Sequence, residues 1–552
     1  MDERRIALNR RASLRGWRAF IATALPVTFL AIFFAYPVAS VIARGLDGRG
    51  RIHPADVLAH ASTWHVVWFT LWQAGVSTLL TLAVGLPAAW AVARNEFRGR
   101  SWVRTLVVVP FVMPTVVVGA ALRSTFARFG LDHGTLRLDR TVWAILLAHV
   151  IFNVAVVVRV VGGYWETLDP RLVEAARTLG ASRRQVWREV TFPHLKPALW
   201  SAATIVFLFC FTSFGVILVV GGPTRATLET EIWRFATQRT DFTTAAVLAI
   251  VQLVFVVVTV IMSTRAERRT AVSIGVRRLT RAPRPGTRAA KARVAVVVVL
   301  TLAFLLLPLA VLVERSLAVG NRYGLEHYRA LMHRDDQSAL LVAPIDAVKN
   351  SLVAAIEATA IAVIVGTSAS FVVVGGRRAL GRVLDASLMV PLGTSAVTLG
   401  FGILIALDEP PLDLRTSRLI VPIAQAIVGV PFVMRVTVPM LRQIDQRLRE
   451  AAATLGASPS RVRREIDLPI VGRALAAAAG FAFAVSLGEF GATAFLARPD
   501  RPTVPVAMYR LLGQPGSSLR GQAMALGVVL TAITVVCVTV IDRAQRGRRV
   551  GW

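Results

Sequence analysis

Apolar stretches long enough to cross a bilayer, free of charge except for Glu357 and Glu489, constrain this chain more than any other feature. At ~1.5 Å of rise per helical residue, roughly 20 apolar residues cover ~30 Å of hydrocarbon. Such stretches run over residues 19–43, 65–93, 105–122, 141–158, 197–222 and 242–263. A second set runs over 294–313, 351–375, 386–407, 419–434, 474–497 and 523–541. Only helices and closed barrels satisfy their backbone groups without water, and stretches of this length predict helices. The expected fold is an all-α polytopic membrane protein with about 12 transmembrane helices. The first stretch is too long for a secretion-signal core and reads as a retained anchor. Composition agrees, with 55% hydrophobic and 17% charged residues and a mean hydropathy of +0.60.

The formal net charge is +31, from 60 Arg and 3 Lys against 32 acids. An excess of this size raises nucleic acid as a partner, so the placement of the arginines matters. With the N-terminus in the cytoplasm, the cytoplasmic segments carry 42 basic and 14 acidic residues, and the outer loops carry 21 and 16. The excess therefore lies almost wholly on the inner face, which is the positive-inside signature of topology. Both termini are expected inside, and a nucleic-acid role is not. Residues 264–293 hold ten basic residues and one acid, Glu267, and read as a basic cytoplasmic linker between a first half, 1–263, and a second, 294–552. The two cysteines, Cys210 and Cys537, each sit in an apolar run, so neither a disulfide framework nor a cysteine-rich metal site is expected.

The halves repeat. Residues 174–182 read EAARTLGAS and residues 450–458 read EAAATLGAS, an offset of 276. At that offset Arg159 falls on Arg435, Pro193 on Pro469, Phe214-Gly215 on Phe490-Gly491, Thr227 on Thr503 and Arg234 on Arg510. Six spans per half, an even number, makes the repeat parallel, and both EAA segments fall on the cytoplasmic side. Each segment, within 169–193 and 445–469, reads as a short helix. Leu172, Ala176 and Leu179 share one face, as do Leu448, Ala452 and Leu455, while Glu174 and Glu450 point away. Gly180 and Gly456 end the run, a second helical turn follows, and Pro193 and Pro469 suit the start of the next span. Two short helices with an elbow make a rigid protrusion.

The pattern E-A-A, three residues, G, nine residues, I-x-L-P resembles the EAA loop of ABC-importer permeases, the binding-protein-dependent inner-membrane components. The second copy matches throughout, with Glu450, Ala451, Ala452, Gly456, Ile466, Leu468 and Pro469. The first has Glu174, Ala175, Ala176, Gly180 and Pro193, with Val190 and Phe192 as apolar replacements. The resemblance implies a type I importer fold with both transmembrane halves fused in one bacterial inner-membrane chain. It implies that the loops are coupling helices docking two separate ATPase subunits, and that an extracytoplasmic binding protein delivers the solute. Fusion of this kind is similar to the thiamine and ferric-iron branch. WHVVWFTLWQAGVSTLL from Trp64, LAHVIFN from Leu147 and FTSFGVILVVGG from Phe211 resemble thiamine-type members; SLGEFGATAFL from Ser486 is shared with iron-type ones.

No cofactor is expected on this chain, and no ATPase site. A P-loop needs Lys followed by Ser or Thr, whereas Lys196, Lys291 and Lys349 precede Pro197, Ala292 and Asn350. ATP hydrolysis is thus expected on another chain. The outer loop at 314–349 is too short for a ligand-binding domain. A membrane-embedded enzyme finds no metal constellation such as H-E-x-x-H. The alternative is a secondary transporter of the major-facilitator kind, driven by an ion gradient. The loop ARNEFRGRSW from Ala93 shares that class's basic residues but not its pattern.

Glu357 and Glu489 are the two acids well inside the spans. Intramembrane carboxylates are expensive, and each either lines the route of a cationic solute or is held by a helix-end Arg, backbone and water. Ser213 occupies the position in the first half that Glu489 occupies in the second. Asn153 and Gln425, with His149 and Gln252, are further polar groups inside spans, placed to contact solute or to join helices.

Overall fold

A computed structural model describes residues 23–47, 53–222, 224–270, 284–335, 338–375, 394–408 and 412–546, with single positions between 381 and 391. The first half contains α1 (Thr23–Leu46), α2 (Ala61–Arg94), α3 (Arg100–Val112), α4 (Thr115–Arg128) and α5 (Val142–Thr167). It continues with α6 (Pro170–Thr178), α7 (Phe192–Phe211), α8 (Gly215–Val220), α9 (Leu228–Thr237) and α10 (Phe242–Thr270). The second half contains α11 (Arg288–Leu317), a hairpin of β1 (Ala318–Val319) and β2 (Arg322–Tyr323), α12 (Pro344–Gly375), α13 (Ala396–Ala406) and α14 (Ile420–Gln443). It ends with α15 (Gln446–Thr454), α16 (Leu468–Gly488), α17 (Thr493–Leu496), α18 (Val504–Leu512) and α19 (Ser517–Arg546). The sequence offset of 276 carries α6 onto α15 residue for residue.

Among the described residues, nine helices are long and apolar enough to span a membrane, or eleven when two bent pairs are counted as spans. The chain is thus an all-α polytopic membrane protein. The expected third span, 105–122, is not one straight helix: α3 and α4 meet at 100°. Pro114 explains the break. A proline disfavours helical backbone at the residue before it, and Met113 is extended, with φ −70° and ψ 148°. Of the expected ninth span, 386–407, only α13 is a described helix. Much of the basic linker at 264–293 lies outside the described residues.

Burial is arranged for lipid rather than water. Along α2 the hidden face carries Thr70, Gln73, Ser77, Thr81 and Gly85, while Trp64, Trp68 and Trp72 point outward. Lipid is as apolar as any side chain, so helices associate through close shape and hydrogen bonds rather than by hiding grease. A Cβ on Gly85 would lie 2.7 Å from Cβ of Val157, and one on Gly366 would lie 2.9 Å from Cβ of Val433. Val157 and Val433 are repeat equivalents, so each half uses a glycine to bring its second and fourth spans together.

The chain forms two compact units. One comprises Met1–Arg44, Ile345–Val506 and Ala532–Trp552; the other comprises Gly45–Pro344 and Ala507–Thr531. The first span of each half therefore belongs with residues drawn mainly from the other half. Phe29 and Phe34 of α1 are buried in one core with Ala358, Val365, Val430 and Met434. In the other unit, Leu305 and Leu312 of α11 are buried, and Leu312 reaches Gly527.

Candidate functional site

The two EAA segments fold into hairpins of the same construction. In the first, the carboxylate of Asp169 accepts from Arg171 N at 2.9 Å and Pro170 opens α6. After Leu179 the backbone turns left-handed at Gly180, with φ +84°. There Gly180 N donates to Arg177 O and Ala181 N to Ala176 O, both at 3.0 Å, the paired bonds of a glycine-terminated helix. Ser182 and Gln185 then cap the next short helix reciprocally. In the second hairpin Asp445 accepts from Arg447 N at 2.9 Å, and Gly456 has φ +79°. Gly456 N donates to Ala453 O at 3.0 Å and Ala457 N to Ala452 O at 2.9 Å. A Cβ at either glycine would meet nothing within 4 Å, so backbone conformation alone requires them. A short π-helical segment, Val186–Thr191 or Arg463–Asp467, leads from each elbow into α7 or α16, where Pro193 or Pro469 occupies the first turn.

Neither α6 nor α15 has a buried residue. Glu174, Ala175, Glu450 and Ala451 are exposed, Ala176 and Ala452 half-buried. At the tips Leu179 is 88% and Leu455 89% exposed, and Leu172 and Leu448 add 46% and 50%. Each hairpin thus presents a small apolar face that the described residues leave uncovered.

The hairpins are anchored differently. Under the first, the Trp165 ring lies 5.8 Å from Trp187, and Trp187 lies 6.3 Å from Phe192. Arg94 also donates to Leu168 O at 3.2 Å. In the second, Arg449 Nε donates to Asp467 Oδ1 at 2.9 Å and Nη2 to Leu441 O at 3.2 Å. The equivalents of Arg449 and Asp467 in the first copy are Val173 and Thr191. Leu468 follows the ion pair and is exposed at the start of α16.

The polar residues inside the spans divide between the units. In one, Asn153 Nδ2 donates to His149 O at 3.0 Å and approaches Cys210 Sγ at 3.5 Å. Gln73 donates to Cys210 O at 2.9 Å and Ser77 bonds the His149 ring at 3.0 Å, so α2, α5 and α7 share one polar cluster. Ser213 is buried at the break between α7 and α8. In the other unit Glu489 stands at the equivalent break between α16 and α17. Its two carboxylate oxygens accept from Ala492 N at 2.7 Å and Thr493 N at 3.0 Å. Glu357 is half-buried, 3.8 Å from Arg418, and Gln425 is buried with no partner for its Oε1 among the described residues. Sequence reasoning misses several buried carboxylates, Asp139, Glu231 and Asp467 among them, and the most enclosed is Glu229 in α9, which accepts from Gln252 Nε2 of α10. Its segment reads as an outer loop, and the only local signal is the Thr227/Thr230 capping box before it.

The helical membrane fold and a match to a permease family over most of the chain define a transport permease of the ABC-importer class. Residues 82–272 and 347–547 both match the family of binding-protein-dependent transport system inner membrane components, and the chain belongs to that family. It is a multi-pass inner-membrane transport component. It is 27% identical over 500 residues to the thiamine transport system permease protein ThiP of Escherichia coli K12, covering 88% of this chain and 90% of that one. It is 26% identical over 546 residues to ThiP of Brucella suis, covering 96% of each. The sulfate transport system permease protein CysT of Salmonella typhimurium is 30% identical over 222 residues, 39% of this chain and 79% of its own.

Proposed function

We propose that this chain is the translocating subunit of an ATP-driven importer for a small cationic solute of the thiamine kind. In this reading the two EAA hairpins face the cytoplasm and each docks an ATPase subunit, while a separate binding protein delivers solute at the opposite face. The observation that carries it is the pair of hairpins built on the same Asp and Gly caps, with exposed leucines at their tips. Rigid capping matters because a lever transmits motion only if it does not bend. ATP-driven closure of the ATPase pair would draw the hairpins together and bias the bundle between two states. Thiamine is favoured by the relatives that match over nearly the whole chain; a ferric species is the second cationic candidate.

The test replaces Leu179 and Leu455 by Asp. The double variant is expected to fold and insert normally, since neither side chain is packed, yet to lose co-purifying ATPase and thiamine uptake. Uptake that survives ATP depletion but collapses with the proton gradient would overturn the proposal in favour of a secondary transporter.

A further inference from the structure

The first EAA hairpin stands over a cleft of about 240 Å³ at its root, wholly within one compact unit. Trp90 and Arg94 reach it from the last turn of α2, Trp165 from the end of α5 and His194 from the start of α7. Three apolar helices thus end or begin around it, which places the cleft at the polar edge of the bilayer. The hairpin supplies Arg177 from α6, with Arg183 and Trp187 beyond the Gly180 elbow. Asp169 is the only acid among the lining residues, and its carboxylate already accepts from Arg171 N. Arg94 donates to Leu168 O, whereas Arg177 and Arg183 are exposed and form no ion pair among the described residues.

The construction of the hairpin does not call for these cations. At the repeat offset Arg177, Arg183 and His194 fall on Ala453, Pro459 and Ile470, yet the second hairpin keeps the same Asp cap and left-handed glycine. The cleft itself lies where the second copy is filled from within. Val173 and Thr191 line it at the positions of Arg449 and Asp467, which bridge at 2.9 Å in the second copy. The first copy therefore has the cations but, in place of the Asp467 carboxylate, only the short Thr191. An anion from outside fits that place, and guanidinium forks match the oxygens of a phosphate. The surroundings indicate its source. Trp187 and Phe192 beside the cleft are 40% and 39% exposed, and Lys196 Nζ lies 5.7 Å from the Phe192 ring. Aromatic rings and basic groups together at the end of membrane spans adjoin lipid headgroups.

We propose that this cleft binds the headgroup phosphate of an anionic phospholipid through Arg94, Arg177 and Arg183, and that the bound phosphate serves the first hairpin as Asp467 serves the second. The site is independent of the solute and of the energy source. The experiment measures binding of radiolabelled phosphatidylglycerol to the full chain in zwitterionic detergent micelles. Saturable binding is expected, with phosphatidylcholine and an excess of inorganic phosphate both failing to compete. Arg177→Ala with Arg183→Ala should weaken it about thirtyfold, the effect of two basic residues at an anionic surface. Arg184→Ala with Arg188→Ala removes the same charge from exposed neighbours outside the cleft and should leave affinity unchanged. Equal losses in the two pairs would show attraction by net charge alone and overturn the proposal. Val173→Arg with Thr191→Asp installs the ion pair of the second hairpin in the cleft and should abolish binding; retained binding would overturn the proposal even if the alanine pairs failed to fold. Competition by inorganic phosphate would reduce the site to one for free anions, and displacement of the lipid by an ATPase subunit would assign the cleft to that protein. Either result would overturn the lipid site and leave the proposed function standing.

Discussion

At the scale of single residues, Glu489 illustrates how an expensive group becomes tolerable. Both of its oxygens are occupied by backbone N–H groups at the start of α17, and Thr493 Oγ1 returns a bond to its carbonyl at 3.0 Å. Glu489→Gln offers one oxygen in place of two and turns an NH₂ toward a backbone N–H. Leaving a buried donor unpaired costs about 1–3 kcal/mol. Glu489→Gln is therefore expected to lower the thermal midpoint of the detergent-solubilised chain; an unchanged midpoint would show that capping is not its role. Gly456 makes a different point, because its left-handed backbone meets no neighbour within 4 Å. Gly456→Ala should cost about 1 kcal/mol from backbone strain alone, and Gly456→Val more, as read from the thermal midpoints of the two variants.

At the scale of elements, the paired hairpins show one backbone design supported by two chemistries. The aromatic group Trp165, Trp187 and Phe192 beneath the first hairpin needs no charge. The second relies on Arg449 and Asp467, whose side chains are 23% and 7% exposed. Arg449→Ala leaves the Asp467 carboxylate enclosed without its partner and is expected to destabilise the hairpin by about 2 kcal/mol, less than a fully buried pair because Arg449 is partly solvated. Arg449→Val combined with Asp467→Thr installs the residue types of the first copy and should recover most of that loss. A double-mutant cycle on thermal midpoints reads the coupling; additive effects would mean that the ion pair does not hold the hairpin.

At the scale of the whole molecule, the two compact units each take in the first span of the other half. Removing residues 1–44 should therefore expose 345–506 to protease before 45–344, because Phe29 and Phe34 complete the core built on α12 and α14. Early cleavage within 45–344 instead would contradict that assignment. The spans, the repeat and the two hairpins are legible in the sequence because each depends on local period, length or capping. The bend at Met113 is partly legible, since Pro114 is visible, but span length alone predicts a straight helix. The enclosure of Glu229 and the meeting of Trp233 with Tyr509 are not legible, although extending the offset by one residue from Arg234 and Arg510 pairs the two rings. By itself, then, the sequence determined that this is a duplicated helical membrane permease with two exposed hairpins, since hydropathy and backbone capping act over a few residues. Only the tertiary structure decided which core α1 and α11 join, what occupies the Glu489 carboxylate and which repeat-related rings touch. In lipid the partners of a helix are chosen by shape and hydrogen bonds between distant segments, and apolarity cannot rank them.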